Sequence, residues 1–235
     1  MTTRITLACA ALMLLVTVRC AGQTTEAWLD YYALFIRGDW SFEANTGATK
    51  GWNGASWTET YITGNATYQP LNWLTTEGNA ELHYTFNKDE EDVLEVRPWA
   101  GVNFIWPTFG TFLNLFYPIL AFRLEERILS YQQSGTTETK TRFRVRLMLR
   151  FLLNNETMMP GTYYLVFLGE NYTPLDGEAR EVSADKRRLQ VGLGYVVLSD
   201  TRVELQYILM KTRDSYTNAF ETSSNIIWFS VRNFF

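Results

Sequence analysis

Two cysteines and one histidine are the whole supply of thiol and imidazole groups in 235 residues. Both cysteines, Cys9 and Cys20, fall at the N-terminal end. There a positive start, MTTR, leads into the apolar stretch Ile5 to Val18 and then the small residues Cys20, Ala21 and Gly22. That order predicts a secretory signal peptide over 1–22, cut near Gln23. Arg19, directly before Cys20, fits a lipoprotein cleavage box poorly. The expected mature domain, 23–235, then has no cysteine, so it has neither a disulfide framework nor thiolate chemistry. A Gly-rich phosphate loop, a Cys/His set at metal spacing and a nucleotide fingerprint are also missing, so neither a cofactor nor a metal is expected. A net charge of -4 gives no sign of a nucleic-acid partner. After the first 22 residues no run of roughly 18 apolar residues occurs, which excludes a membrane-spanning helix. It does not exclude a membrane barrel.

Helical periodicity is also scarce. What the chain has in its place is alternation with a period of two, over segments near 27–36, 39–47, 56–68, 73–86, 92–105, 111–130, 139–153, 162–170, 186–198, 201–212 and 224–235. The stretch TRFRVRLMLRF, Thr141 to Phe151, is the sharpest case. Arg142, Arg144, Arg146 and Arg150 take alternate positions, interrupted by Met148, and Phe143, Val145, Leu147, Leu149 and Phe151 fill the others. Successive strand side chains point to opposite faces, so one face is cationic and the other wholly apolar. Glu77, Glu81 and His83 alternate with Ala80, Leu82 and Tyr84, and Arg123, Glu125 and Arg127 with Phe122, Leu124 and Ile128. Arg188 and Gln190 oppose Leu189 and Val191, and Glu204 opposes Val203 and Leu205.

A soluble barrel would turn the apolar faces inward; a transmembrane barrel turns them to lipid and the polar faces to the lumen. About eleven strands with four or five large apolar residues each would overfill a small barrel's interior, so the second arrangement is expected. Lipid-facing arginines would each cost about 2–4 kcal/mol near the midplane. Four of them would rival the whole stability of a typical domain, roughly 5–15 kcal/mol. The arginines must face the lumen.

The connections agree. RGD at 37–39, QPLN at 69–72, WPTFG at 106–110 and SD at 199–200 are short, whereas the alternate connections are mostly longer and polar, as in outer-membrane barrels. NNETMMPG at 154–161 breaks the rhythm, being too long for a tight turn. Trp40, Tyr68, Trp73, Trp106 and Phe109 stand beside the short turns, where an interfacial aromatic girdle belongs. The last eleven residues, NIIWFSVRNFF, alternate up to a terminal Phe235.

Lumen candidates follow from parity: Glu77, Glu81, Glu95, Arg97, Arg123, Glu125, Arg127, Arg142, Arg144, Arg146, Arg150, Glu170, Arg188 and Glu204, with Glu43 and Glu59 on earlier strands. One reading is a ladder of ion pairs that fills and rigidifies a narrow barrel; the other is an anion-attracting pore lining. His83 lies in the lumen beside Glu81, with Thr85 and no serine two residues on, so no catalytic residue is assigned. Gly192 and Gly194 in GLGY are expected to leave room for arginine side chains across the lumen.

Trp28 and Trp40, RPWAG at 97–101, RLEER at 123–127, RFRVR at 142–146 and GLGY followed by Glu204 together resemble a family of bacterial outer-membrane barrels, domain of unknown function 2490, common in Bacteroidetes. The resemblance implies an outer-membrane location in a Gram-negative bacterium and an Arg- and Glu-rich ladder matching Arg123, Glu125, Arg127, Arg142, Arg144 and Glu170, and it assigns no activity. The terminal strand and Phe235 resemble the assembly signal of such barrels. The implied partners are outer-membrane lipids and the barrel assembly machinery. The expectation is thus an all-β, up-and-down antiparallel barrel of ten or twelve strands. Eleven segments conflict with the even count expected when both termini are periplasmic. Either 27–36 is not a full barrel strand or a strand is missing, with NNETMMPG the first place to look. The expected role is a non-enzymatic membrane protein serving membrane integrity or presenting its loops. The alternatives are a narrow channel for small anionic solutes, a lipid-modifying enzyme using His83, and a soluble periplasmic β-protein.

Overall fold

A computed structural model describes residues 24–52, 56–88, 90–106, 116–175, 186–213 and 219–235. The expected signal peptide and Phe109 lie outside the described residues. Eleven strands form one closed barrel: β1 (Thr24–Arg37), β2 (Trp40–Trp52), β3 (Trp57–Leu71), β4 (Leu74–Asn87), β5 (Val93–Ile105), β6 (Phe116–Tyr131), β7 (Thr137–Leu152), β8 (Tyr163–Pro174), β9 (Lys186–Leu198), β10 (Thr201–Arg213) and β11 (Phe220–Phe234). Consecutive strands pair antiparallel, but the barrel closes through a parallel pair, β1 with β11, in unbroken register from Thr24↔Ser224 to Leu34↔Phe234.

That pair corrects the even strand count. The segment at 27–36 is a full strand that extends to 24–37, and no twelfth strand is needed, because a parallel seam closes an odd number. An odd count also places the start of β1 and the end of β11 at opposite rims. Phe235 sits at the short-turn rim, where its backbone N–H donates to Leu34 O at 2.8 Å and its ring stacks on Phe35.

Hairpin chemistry explains the short-turn rim. Arg37↔Trp40, Leu71↔Leu74 and Leu198↔Thr201 are joined by two residues each, and Gly38 supplies the positive φ (60°) that the first turn requires. The NNETMMPG connection is not an extra strand. Its backbone wraps Thr162, which is fully buried: Thr162 Oγ1 donates to Thr157 O (3.1 Å) and accepts from Asn155 Nδ2 (2.8 Å). Met158 then packs against Leu152, Tyr164, Val166 and Val196, all on the inner face of the barrel. The connection therefore tucks inside the barrel outline at this rim.

The outer wall follows the alternation. Leu29, Ile62, Leu82, Leu124, Leu147, Leu189, Leu205 and Ile227 are all exposed there, and Leu147 is 46% exposed. Of the charged outward positions of the described strands, Arg37, Lys50, Arg187, Lys211 and Arg213 fall close to a strand end, and Glu126 lies in the second half of β6. An aromatic band circles the short-turn rim in outward-facing pairs: Phe35 with Phe235, Trp40 with Tyr68, Trp73 with Phe104, Phe116 with Phe151, and Tyr163 with Tyr195, at centroid distances of 5.0, 4.8, 6.2, 4.6 and 4.6 Å. Trp40, Tyr68 and Trp73 belong to it as expected, and Trp106 is exposed beside it.

The inner face is less uniformly polar than the pattern implies. Met148, Val166 and Leu168 line the lumen, and Ile208 and Ile226, opposite one another across β10 and β11, are fully buried inside it. Val166 and Met148 belong to one apolar cluster with Leu152, Tyr164 and Val196.

Candidate functional site

The strand alternation delivers the charged side chains to the lumen, and their registers decide who meets whom. Glu125 on β6 stands opposite Arg142 on β7 and one row from Arg144. Its carboxylate, with no exposure, pairs with Arg142 Nη2 and with Arg144 Nη1 (2.6 Å), and Arg97 Nε lies 3.6 Å away. Arg144 continues to β8, where Glu170 Oε1 accepts from Nη2 (2.9 Å) and Nε (3.2 Å). Tyr172 OH donates to the other Glu170 oxygen at 2.6 Å and accepts from Arg144 at 3.1 Å.

On the other side Arg97 donates to Glu95 (2.8 Å) and Glu81 (3.1 Å), and Arg127 grips Glu95 through two bonds of 2.6 and 2.9 Å. Trp99 Nε1 donates to the second Glu81 oxygen at 2.7 Å. His83 completes the chain between Glu81 (Nε2, 3.0 Å) and Glu59 (Nδ1, 3.1 Å), with Tyr61 stacked on its ring. The result is one connected set of charge-assisted bonds from β3 through β8, its two halves joined by the 3.6 Å ion pair between Arg97 and Glu125. Such bonds are shorter and stronger than neutral ones, and each charge taken out of water needs them.

Other predicted residues are in the lumen but outside this set. Glu204 accepts from Tyr164 OH (2.7 Å) and Gln206 Nε2 (2.5 Å), and among the described residues no arginine closes an ion pair with it. The guanidinium of Arg123 sits over Trp99 at 3.3 Å, that of Arg150 over Tyr164 at 5.6 Å, and that of Arg188 near both Trp28 and Trp228 at 5.4 and 5.5 Å. Among the described residues, Arg123, Arg146, Arg150, Arg188 and Glu77 close no ion pair of 4.0 Å or less. Together with Glu43 and Glu204 they line a lumen cavity of about 530 Å³.

Sequence reading passed over the tyrosines and tryptophans of this interior. Asp30 is held by Tyr32 OH (2.8 Å) and by Tyr61 OH, while Tyr164 and Tyr172 anchor the two glutamates above. Their inward parity was readable, but the alternation test sorts residues as apolar or polar, and tyrosine scores as apolar. Gly192 and Gly194 correct a second expectation. A side chain at Gly192 would meet Gln206 and one at Gly194 the ring of Tyr164, so these glycines make room for Gln206 and Tyr164, not for arginines.

His83 has both ring nitrogens on carboxylates, which leaves neither for a serine or threonine hydroxyl. Among the described residues no group of three or more His, Cys, Asp and Glu is arranged to hold a metal ion. None of the curated proteins compared with this chain matches it. A family model does match, over residues 25–221, which spans the barrel from β1 to the start of β11, and the chain belongs to the family described as protein of unknown function (DUF2490).

Proposed function

We propose that this protein is an outer-membrane β-barrel of non-enzymatic type whose Arg/Glu interior is a stabilising polar core, and that it serves membrane integrity or presents its loops outside. The observation that carries the reading is the connected set of ion pairs from Glu59 to Glu170. It ties six consecutive strands through the lumen, where a pore would need open water. The tucked connection with Met158 supports the same conclusion at the short-turn rim.

Support for the membrane setting comes from the outer wall. Its strands of 12 to 16 residues exceed the roughly 9–11 needed to cross a bilayer. Its mid-height positions are mostly apolar or small, with threonines such as Thr46 among them, and its aromatic band lies at one rim, as in barrels that sit in lipid. Outer-membrane lipids are then the immediate partners, and the barrel assembly machinery would read the terminal strand through Phe235.

The test is conductance of the refolded, inserted protein in a planar bilayer. A silent bilayer is expected. Discrete steps favouring anions would overturn the closed interior and bring forward the second reading, a narrow anion channel, which the unpaired arginines favour. Hydrolysis of lipid lost in His83→Ala would instead point to an enzyme.

A further inference from the structure

The eight lumen arginines expected from sequence divide into two groups that sequence does not separate. Arg97, Arg127, Arg142 and Arg144 are matched by carboxylates. Arg123, Arg146, Arg150 and Arg188 are not, yet they line one cavity. Register shows why. Arg146, Glu170 and Arg188 stand in one row across β7, β8 and β9, so Glu170 is flanked by two arginines. Its oxygens are already committed to Arg144 and Tyr172. Arg150 follows Arg146 on the same face of β7, and Arg123 stands opposite Arg144. Glu77, in the row of Arg123, is separated from it by Gly101 and closes no pair with it.

Two of the four also have a buried donor with nothing to donate to: Nε of Arg150 and Nε of Arg188. A buried donor left unmade is costly. So are the like charges of Arg146 and Arg188 on either side of a Glu170 that is already engaged, in a cavity that Glu43, Glu77 and Glu204 also line. A single ligand relieves both. A carboxylate or phosphate presents several acceptor oxygens in the geometry that a guanidinium fork matches. The cavity volume of about 530 Å³ is within the range of small-molecule sites. Met148, Val166 and Leu168 add a short apolar surface beside the arginines.

We propose that this cavity is a binding site for a compact oxyanion, a carboxylate or a phosphate, held by Arg146, Arg150 and Arg188 with Arg123 at its side. The proposal rests on the lumen being a capped interior and not an open conduit. Tryptophan reports on it directly, because Trp28, Trp99 and Trp228 line the same space.

The experiment titrates the full refolded barrel in detergent with inorganic phosphate and, separately, with acetate, at constant ionic strength, reading tryptophan fluorescence. Saturable binding of either is expected. Phosphate alone saturating would assign the site to phosphates, acetate alone to carboxylates. Arg146→Gln and Arg188→Gln should each weaken binding by about tenfold or more, the loss of a charge-assisted bond. Arg187→Gln, on the exposed outer face of β9, should leave it unchanged. If a glutamine variant fails to fold, Arg146→Lys keeps the charge but loses the fork, and it too should bind more weakly. No saturation by either anion in folded protein, or equal affinity in all variants, overturns the proposal. Conductance of the same preparation in a bilayer tests the capped interior separately: ion flow would overturn it, and the titration would still decide the site.

Discussion

Glu125 is the residue on which the lumen network turns, because three arginines converge on one fully buried carboxylate. Removing its charge while keeping its shape leaves Arg142 and Arg144 facing each other without a common partner. Breaking a buried pair from one side costs about 3–5 kcal/mol. Glu125→Gln should therefore lower the unfolding free energy of the barrel in detergent by that amount, read from urea titration. The neighbouring Glu126→Gln, exposed on the outer face, should stay within about 0.5 kcal/mol of wild type. Similar midpoints for the two variants would mean that the network adds nothing to stability. His83 belongs to the same argument: both nitrogens bridge carboxylates, which suits a structural link between β3 and β4.

Two elements depart from a simple meander. The 153–162 connection spends its length on wrapping Thr162 and placing Met158 inside the rim, which explains why a tight turn could not serve there. The seam between β1 and β11 is the other. Parallel pairing is slightly weaker per residue than antiparallel, and every other seam in the wall is antiparallel. Its register is testable by disulfide formation. Ala27 and Ile227 are partners on the outer face. Ala27→Cys with Ile227→Cys should cross-link readily under mild oxidation, because parallel partners bring Cα atoms to within the roughly 4.4–6.8 Å that a disulfide spans. Ala27→Cys with Val231→Cys should not. The reverse result would mean that the barrel closes in another register or through another strand.

For the whole molecule the decisive property is that its apolar surface is outside. A soluble protein that exposed Leu29, Ile62, Leu124, Leu147, Leu189 and Ile227 around its full girth would aggregate, whereas lipid stabilises such a surface. Leu147→Arg places a charge in the middle of that wall, at a cost of about 2–4 kcal/mol in a bilayer. It should sharply reduce the fraction that folds into lipid vesicles, scored by heat-modifiable gel mobility. Unimpaired insertion of Leu147→Arg would mean that this face does not meet acyl chains.

Much of this molecule is legible in one dimension. The period-two alternation determined by itself that the chain is built of strands and which residues of TRFRVRLMLRF share a face, because parity is local and leaves only two choices per residue. The number of large apolar residues and the cost of arginine in lipid then turned the charged faces to the lumen. The tertiary structure decided what parity cannot reach. Strand count turned on how β1 meets β11, a contact between residues some two hundred positions apart. Which arginines are paired turned on tertiary placement: register sets Glu125 opposite Arg142 and near Arg144, whereas Glu170, opposite Arg146 and Arg188, is taken diagonally by Arg144. Those assignments depend on distances between strands, and no pattern within a single strand carries them.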